Sequence, residues 1–397
     1  MNIIFFDDQA RTTLLPLTFT RPVAEIRIGI LTIHEKWKRR LKADHISWLT
    51  DPLLAEKFPV HVTDDNLLIN GAVLPNPRLV VEISELPADA RLVWNGITVA
   101  ARMSGEQVKS ISTADAPMTS KSLSSTSAVV KLNHCWDIFS GNDAALRDDF
   151  ELLTAGRTSA PVSASNRVIG NGGLFLEEGA VAEGAVLNTT TGPIYIGKDA
   201  EIMEGCLVRG PFSLGDHAQL KMGAKIYGAT TIGPECRVGG EVNNSVIMGY
   251  SNKAHDGFLG NSVIGEWCNL GADSNNSNLK NNYSIVKVWS YKEENYVNTG
   301  LQFCGLIMGD HSKCSINTMF NTGTVVGVSA NIFGTGFPPK YIPSFSWGGS
   351  EGFTTYRLED ASEVAQRVFE RRKLTFGETD RKLFRELFDA TTKYRSW

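Results

Sequence analysis

No stretch of the 397-residue sequence sustains an apolar run near the roughly 18 residues that a membrane-spanning helix needs. The opening residues, MNIIFFDDQA, lack a basic leader and carry two early aspartates, so no secretory signal is read there. Positive charge is not in excess either. The formal net charge is −4 and no basic tail is present, which argues against a dedicated nucleic-acid binder but leaves room for one phosphorylated metabolite. Cysteine is sparse: Cys135, Cys206, Cys236, Cys268, Cys304 and Cys314 form no CxxC pair, and their gaps are wide and irregular. A zinc ribbon and a disulfide framework are therefore not expected, and a reduced cytoplasmic protein with small buried thiols is the simplest reading. His217, His255 and His311 lack close ligand spacing, so a zinc hydratase built on several converging histidines is not expected. What remains is an ordinary globular composition, 42% hydrophobic and 21% charged, in a chain long enough for two or three domains.

One feature is in surplus, a period of six. Ile196, Ile202, Val208, Leu214, Leu220, Ile226, Ile232 and Val238 are large aliphatics in unbroken register. Four residues after the first seven stand Ala200, Cys206, Phe212, Ala218, Ala224, Thr230 and Cys236, all small except Phe212. Ile169, Phe175, Val181 and Leu187 are read as an earlier run of the same kind, Met308, Cys314, Phe320, Val326 and Ile332 as a later one, and Ile264 with Leu270 as a short piece. Six is the period of neither a helix nor an alternating strand. It fits a short strand plus a corner, three of which close a triangular coil whose large aliphatic fills the interior. The register breaks at 191–193, slips over 241–260 and admits a larger insertion between Leu270 and Met308. Loops that project from a solenoid are where binding groups are expected.

The flanks lack this period. Asn2–Phe6 reads as a buried strand, 32–42 as an amphipathic basic helix, 67–69 and 92–94 as strands, 143–153 as a helix, and Ser/Thr-rich 110–127 as a loop. Residues 363–372 and 380–394 read as helices that pack against or cap the repeat region. The expected organisation is an α/β domain over 1–160, a left-handed parallel β-helix of hexapeptide repeats over 161–335, and a C-terminal loop with helices over 336–397.

Residues 242–278 read VNNSVIMGYSNKAHDGFLGNSVIGEWCNLGADSNNSN. This segment resembles the acetyltransferase half of the bifunctional family that joins N-acetylglucosamine-1-phosphate uridylyltransferase to glucosamine-1-phosphate acetyltransferase. Ser245, Lys253, His255, Gly260, Ile264, Gly265, Asn269, Gly271, Ala272 and Asn278 carry the match, ungapped from His255 onward. The resemblance implies His255 as catalytic base. An imidazole titrating near neutrality suits removal of a proton from an attacking amine, with no covalent intermediate. It implies Asn269 and Asn278 at the sugar, although asparagine is also favoured in turns. It implies the Ala272 N–H at the developing oxyanion, and Ser315 and Gly334 along the pantetheine arm of acetyl-CoA in a groove between the subunits of a homotrimer. Two departures bear on the acceptor. Phe258 stands where the family has tyrosine, and Asn243 and Asn244 replace two lysines, so a point charge for a sugar phosphate is missing there. Lys225 keeps one positive charge a coil earlier, and Lys280 and Lys287 are further candidates.

Near the N-terminus, LLPLTFTRP over 14–22 resembles a stretch of the sugar-1-phosphate nucleotidyltransferases. Their glycine-rich phosphate loop is replaced here by DDQARTT, Ala72 stands where a metal-binding aspartate is expected, and the domain is shorter. Arg11, Arg21 and Arg27 are the candidates to hold nucleotide phosphates, with Mg²⁺ required only if this domain is active. The resemblance thus implies an acetyl-CoA-dependent enzyme of UDP-N-acetylglucosamine-type nucleotide-sugar biosynthesis, acting on an amino-sugar phosphate and a nucleotide. The alternatives are an acyltransferase with an inactive nucleotide-sugar-binding N-domain, and a trimeric scaffold without catalysis. No nucleic-acid or membrane partner is expected.

Overall fold

The computed structural model describes residues 2–111 and 117–397. They fall into two compact units. The first runs to Leu14 and adds Thr20–Ile26 and Leu31–His134; the second comprises Leu15–Phe19, Arg27–Ile30 and Cys135–Trp397.

The first unit is α/β. Asn2–Phe6, buried along its whole length, lies between His45–Leu49 and Asp65–Asn70 and runs parallel to both. A parallel strand covered on both faces needs no alternation, which is why NIIFF is apolar almost throughout. The sheet continues through Ile97–Ser104 and Ala90–Trp94, each antiparallel to its predecessor, and ends at Lys121–Ser124. Helix Ile33–Leu41 starts on a capping box, with the Glu35 N–H donating to Thr32 Oγ1 and the Thr32 N–H to Glu35 Oε2. Its Trp37 is fully buried and donates from Nε1 to the Val73 carbonyl. The stretch 110–127 differs from the loop expected of it. It contains the edge strand Lys121–Ser124, all of whose residues are exposed, so no hydrophobic pattern marked it. The part of that expectation falling on 112–116 lies outside the described residues.

The second unit is a three-faced parallel β-helix. One face stacks nine strands from Leu174–Leu176 to Tyr341–Ile342. A second stacks ten, of which the last, Gly352–Thr355, turns back antiparallel. A third stacks six from Arg167–Ile169 to Phe258–Gly260. Residues in the interior slot pile into ladders, such as Ile196 on Leu214 on Ile232. The eight aliphatics from Ile196 to Val238 are all buried in one core, with the small residues beside them. Such burial is worth on the order of 1.5–3 kcal/mol per side chain, which is what holds coils with so little regular structure of their own.

The earliest coils correct the expected register. Phe175 pairs with Tyr195 while Leu176 pairs with Ile196, and Val181 pairs with Glu201 while Ala182 pairs with Ile202. Leu176 and Ala182 therefore take the interior slots, and Phe175 and Val181 point outward. Val168, not Ile169, stands opposite Leu187. The cause lies between Ala182 and Leu187, two inward residues five apart rather than six, so that counting back by six from Leu187 lands one residue off.

The larger insertion builds an antiparallel hairpin, Lys287–Ser290 with Asn295–Asn298. Helices Leu358–Arg371 and Glu378–Ala390 form a cluster with Trp267, Val328 and Phe345. Trp267 is stacked between Tyr250 and Phe369, at 4.2 and 4.1 Å between ring centroids. They therefore pack along one side of the β-helix.

The corrected register is testable. Val181→Asp is expected to leave the unfolding midpoint in denaturant within about 0.5 kcal/mol of wild type. Ala182→Asp, one residue on, is expected to cost on the order of 2–7 kcal/mol. The reverse order would restore the six-residue count.

Candidate functional site

The coil that leads up to His255 is short. Ile232 pairs with Ile247 and Val238 with Lys253, fifteen residues on, whereas Ile196 pairs with Leu214, eighteen on. From strand Asn252–Lys253 the chain turns onto strand Phe258–Gly260 through Ala254, His255, Asp256 and Gly257. This corner fits because glycines lie on the coil beneath. A Cβ on Gly239 would stand 2.4 Å from the Ala254 carbonyl oxygen, and one on Gly240 would stand 2.8 Å from Asp256 Cα. On the coil above, the Asp273 N–H donates to the Asp256 carbonyl at 2.9 Å, and one coil further the Asn317 N–H donates to the Ala272 carbonyl at 2.8 Å. The Ser315 N–H donates to the Ile332 carbonyl, just before Phe333 and Gly334. His255, Ala272, Ser315 and Gly334 thus follow one another along one edge of the prism.

The His255 side chain is exposed. It opens on a cleft of about 600 Å³ shared with Met203, Lys221, Met222, Asp256 and Ala272. Among the described residues, the Ala272 N–H has no acceptor within the chain. An imidazole and an unpaired N–H in one cleft supply a proton acceptor and a donor for a developing oxyanion. Beneath the turn one interior slot is polar. Lys253 is buried, and burial pushes its ammonium down to about 8.

The third face holds the other candidates. Lys225 pairs with Glu241 and Glu241 with Phe258; Tyr227 pairs with Asn243 and Asn243 with Gly260. Arg209, Lys225, Tyr227 and Glu241 line a second cleft of about 490 Å³. Tyr227 Oη donates to Glu241 Oε1 at 2.6 Å, and that bond holds the phenol up at about 12. Phe258 and Asn278 both lie over Gly260, whose added Cβ would meet Phe258 Cζ at 2.5 Å and Asn278 Nδ2 at 2.7 Å. Asn278 Nδ2 donates to Asn261 Oδ1 at 2.8 Å. Asn269 is not with them. It pairs with Asn252 and Lys313 on the ten-strand face. Arg209 and Tyr227 were not singled out from sequence, although their separation by one full coil and their position beside the inward Val208 and Ile226 marked them as outward neighbours.

In the first unit the strand ends Phe6, Leu49 and Asn70 deliver Asp7, Asp8, Thr50, Asp51 and Asn70 to one rim of the sheet, where α/β sheets bind ligands. These groups are already paired. Asp7 accepts from the Val23 N–H at 2.9 Å and from Thr50 Oγ1 at 2.5 Å, and burial pushes its carboxyl up. Asp8 Oδ2 takes Asn70 Nδ2 at 2.9 Å and the Lys131 ammonium at 3.2 Å. Arg11 bonds to Asp51 at 3.3 Å and lies 4.0 Å from Asp7. Arg21 is buried. Arg27 belongs to the second unit, where its guanidinium donates to the carbonyls of Met248 and Ile30. Among the described residues no three His, Cys, Asp or Glu are placed to hold a metal ion together, and Asp8, whose oxygen is bound by a lysine, does not suit Mg²⁺.

Gly240 holds φ at +70°, a conformation costly for other residues. Gly240→Ala is therefore expected to destabilise the second unit by on the order of 1–3 kcal/mol, measured as a lower unfolding midpoint. An unchanged midpoint would mean that the His255 turn is not seated as described.

Residues 3–158 match the family described as sugar nucleotidyl transferase. A bifunctional sugar-1-phosphate nucleotidylyltransferase/acetyltransferase of Sulfurisphaera tokodaii is 33% identical over 144 residues, covering 36% of this chain and 35% of that protein. The bifunctional protein GlmU of Methanocaldococcus jannaschii is 36% identical over 87 residues, 22% of this chain and 21% of that one. The chain thus spans about a third or less of the length of these curated relatives. The crystal structure of the polySia-specific acetyltransferase NeuO overlaps with a TM-score of 0.31 at 15% identity, covering 52% of this chain and all of that one. The β-helix rests on its strand pairing rather than on that overlap. Residues 3–158 carry a sugar nucleotidyl transferase domain, in a chain similar over part of its length to bifunctional sugar-1-phosphate nucleotidylyltransferase/acetyltransferases.

Proposed function

We propose that the β-helix transfers an acetyl group from acetyl-CoA to the amine of an amino-sugar phosphate, with His255 as general base. The observation that carries this reading is the exposed imidazole beside the unpaired Ala272 N–H in one open cleft. The amine attacks the thioester carbonyl, and its carbon–nitrogen bond forms as the carbon–sulfur bond breaks. His255 takes the amine proton, and the thiolate of coenzyme A leaves. The Ala272 N–H stabilises the oxyanion between these events. Ser315 and Gly334 continue the edge away from the reacting carbonyl and are the assigned seats of the pantetheine arm. Lys225 supplies the charge that Asn243 and Asn244 do not, and Arg209 in the same cleft adds a bidentate group suited to phosphate. Phe258 and Asn278, lying over Gly260, form a wall for the sugar ring. Asn269, on a different face, reaches an acceptor only across a neighbouring subunit.

A homotrimer completes the cleft in this reading. Its support is the exposed apolar set beside the edge, with Met222 71%, Ile316 64% and Leu207 50% accessible. Patches of this kind mark interaction surfaces. Six free, buried cysteines fit a reducing compartment, the cytoplasm. The pathway assigned is UDP-N-acetylglucosamine-type nucleotide-sugar synthesis.

For the first unit, the family match favours a nucleotidyl site, whereas the Asp8–Lys131 pair favours binding of a nucleotide or nucleotide-sugar without a metal-dependent step. Arg11 and Arg21 are its assigned phosphate ligands. Offered UTP or dTTP with sugar-1-phosphates and Mg²⁺, the protein is expected to release no pyrophosphate. Release would establish nucleotidyl transfer.

Offered acetyl-CoA with hexosamine-1-phosphates, the protein is expected to liberate thiol, and His255→Ala to lower the rate by about 10²- to 10⁴-fold. Thiol release that survives His255→Ala would remove His255 as base. Light scattering at micromolar concentration is expected to give three times the 43.4 kDa chain mass, and a monomer would contradict a shared cleft.

A further inference from the structure

The interior slots of the ten-strand face are apolar on either side of one position. Val238 precedes it, and Leu270, Cys314 and Ile332 follow in the same ladder. That position is Lys253, 3% exposed. An ammonium inside an apolar prism is costly unless its donors are satisfied, and stability alone would be served better by another aliphatic. The donors are spent at the corner. Lys253 Nζ donates to the Gly239 carbonyl at 3.0 Å and to the His255 carbonyl at 2.6 Å. These carbonyls belong to successive coils, and one of them is the backbone of the proposed base. Asp256 and Asp273, on the two turns at this edge, favour the charged form, as does Cys314 in the interior.

We propose that Lys253 is a positioning residue: its buried ammonium ties the carbonyl of Gly239 to that of His255 and so fixes the turn that presents the imidazole to the cleft. This rests on the reading of His255 as base. The shortened coil explains the need. The corner at Ala254–Gly257 sits against glycines, so no side chain from the coil beneath buttresses it, and the clamp comes from inside. The ammonium touches no substrate and takes no proton from one.

The test is a double-mutant cycle on the full-length protein, with acetyl-CoA and the hexosamine-1-phosphate that wild type accepts. Lys253→Met fills the slot with an apolar chain of similar length. It is expected to lower kcat by about 10- to 100-fold while KM for acetyl-CoA changes by less than about twofold. In a His255→Ala background, Lys253→Met should add less than about twofold, because the residue acts through His255. Should Lys253→Met not fold, Lys253→Leu serves, since leucine occupies the same slot one coil on at Leu270. Full kcat in the folded variant, or an equal loss with and without His255, would overturn the clamp. A His255→Ala enzyme as active as wild type would instead overturn the assignment of the base. The clamp is then decided by NMR of the His255 imidazole, assigned by its loss in His255→Ala. Its resonances are expected to shift in Lys253→Met, and unchanged resonances would overturn the clamp whatever the activity.

Discussion

Everything in the second unit depends on vertical register. Parallel strands about 4.8 Å apart bury a core only if each coil brings its inward residue above the one below. Ile196, Leu214 and Ile232 do so on one face, and Val208 and Ile226 on another. The constraint is strict inside and loose outside. An inward position accepts little but an aliphatic or a small residue, while the corners take left-handed residues as unlike as Asp199, His217 and Trp267. A coil also accepts a change of length, provided that it regains register before the next rung.

That tolerance is where chemistry enters. The coil that leads up to His255 loses three residues relative to the regular ones, and the His255 corner is held by glycines beneath, by a backbone bond above and by a lysine within. The following coil widens into the hairpin of Lys287–Ser290 and Asn295–Asn298. The hairpin lies against Gly323 and Tyr341, whereas the first irregularity borders the cleft. A continuous solenoid would present only repeated outward side chains there. The interruption presents an exposed histidine beside the Ala272 corner.

Periodicity made the β-helix legible from Ile196 onward, because interior burial imposes a pattern that nothing else in the chain mimics. It misled where coil length changed. Phe175 and Val181 fell on the six-residue count yet face outward, since length is set by the corner and a count of aliphatics does not see the corner. The edge strand Lys121–Ser124 was illegible for the opposite reason, being held by backbone pairing alone with every side chain exposed. At the site, His255 and Ala272 could be placed together because they belong to adjacent corners. Asn269 could not be separated from Asn278 by spacing, because the two sit on different sides of a turn. Arg27 illustrates a limit of charge as a signal: an exposed guanidinium and one consumed by backbone carbonyls read alike in sequence.

The account makes one edge of the prism the place where acetyl-CoA binds, and hydrogen–deuterium exchange tests this most directly. With acetyl-CoA added, peptides spanning 254–257, 271–274, 315–317 and 333–334 are predicted to slow together, while the rim that carries Asp7 and Asp8 keeps its rate. Protection confined to the first unit, or absent from the His255 and Ala272 corners, would contradict the account.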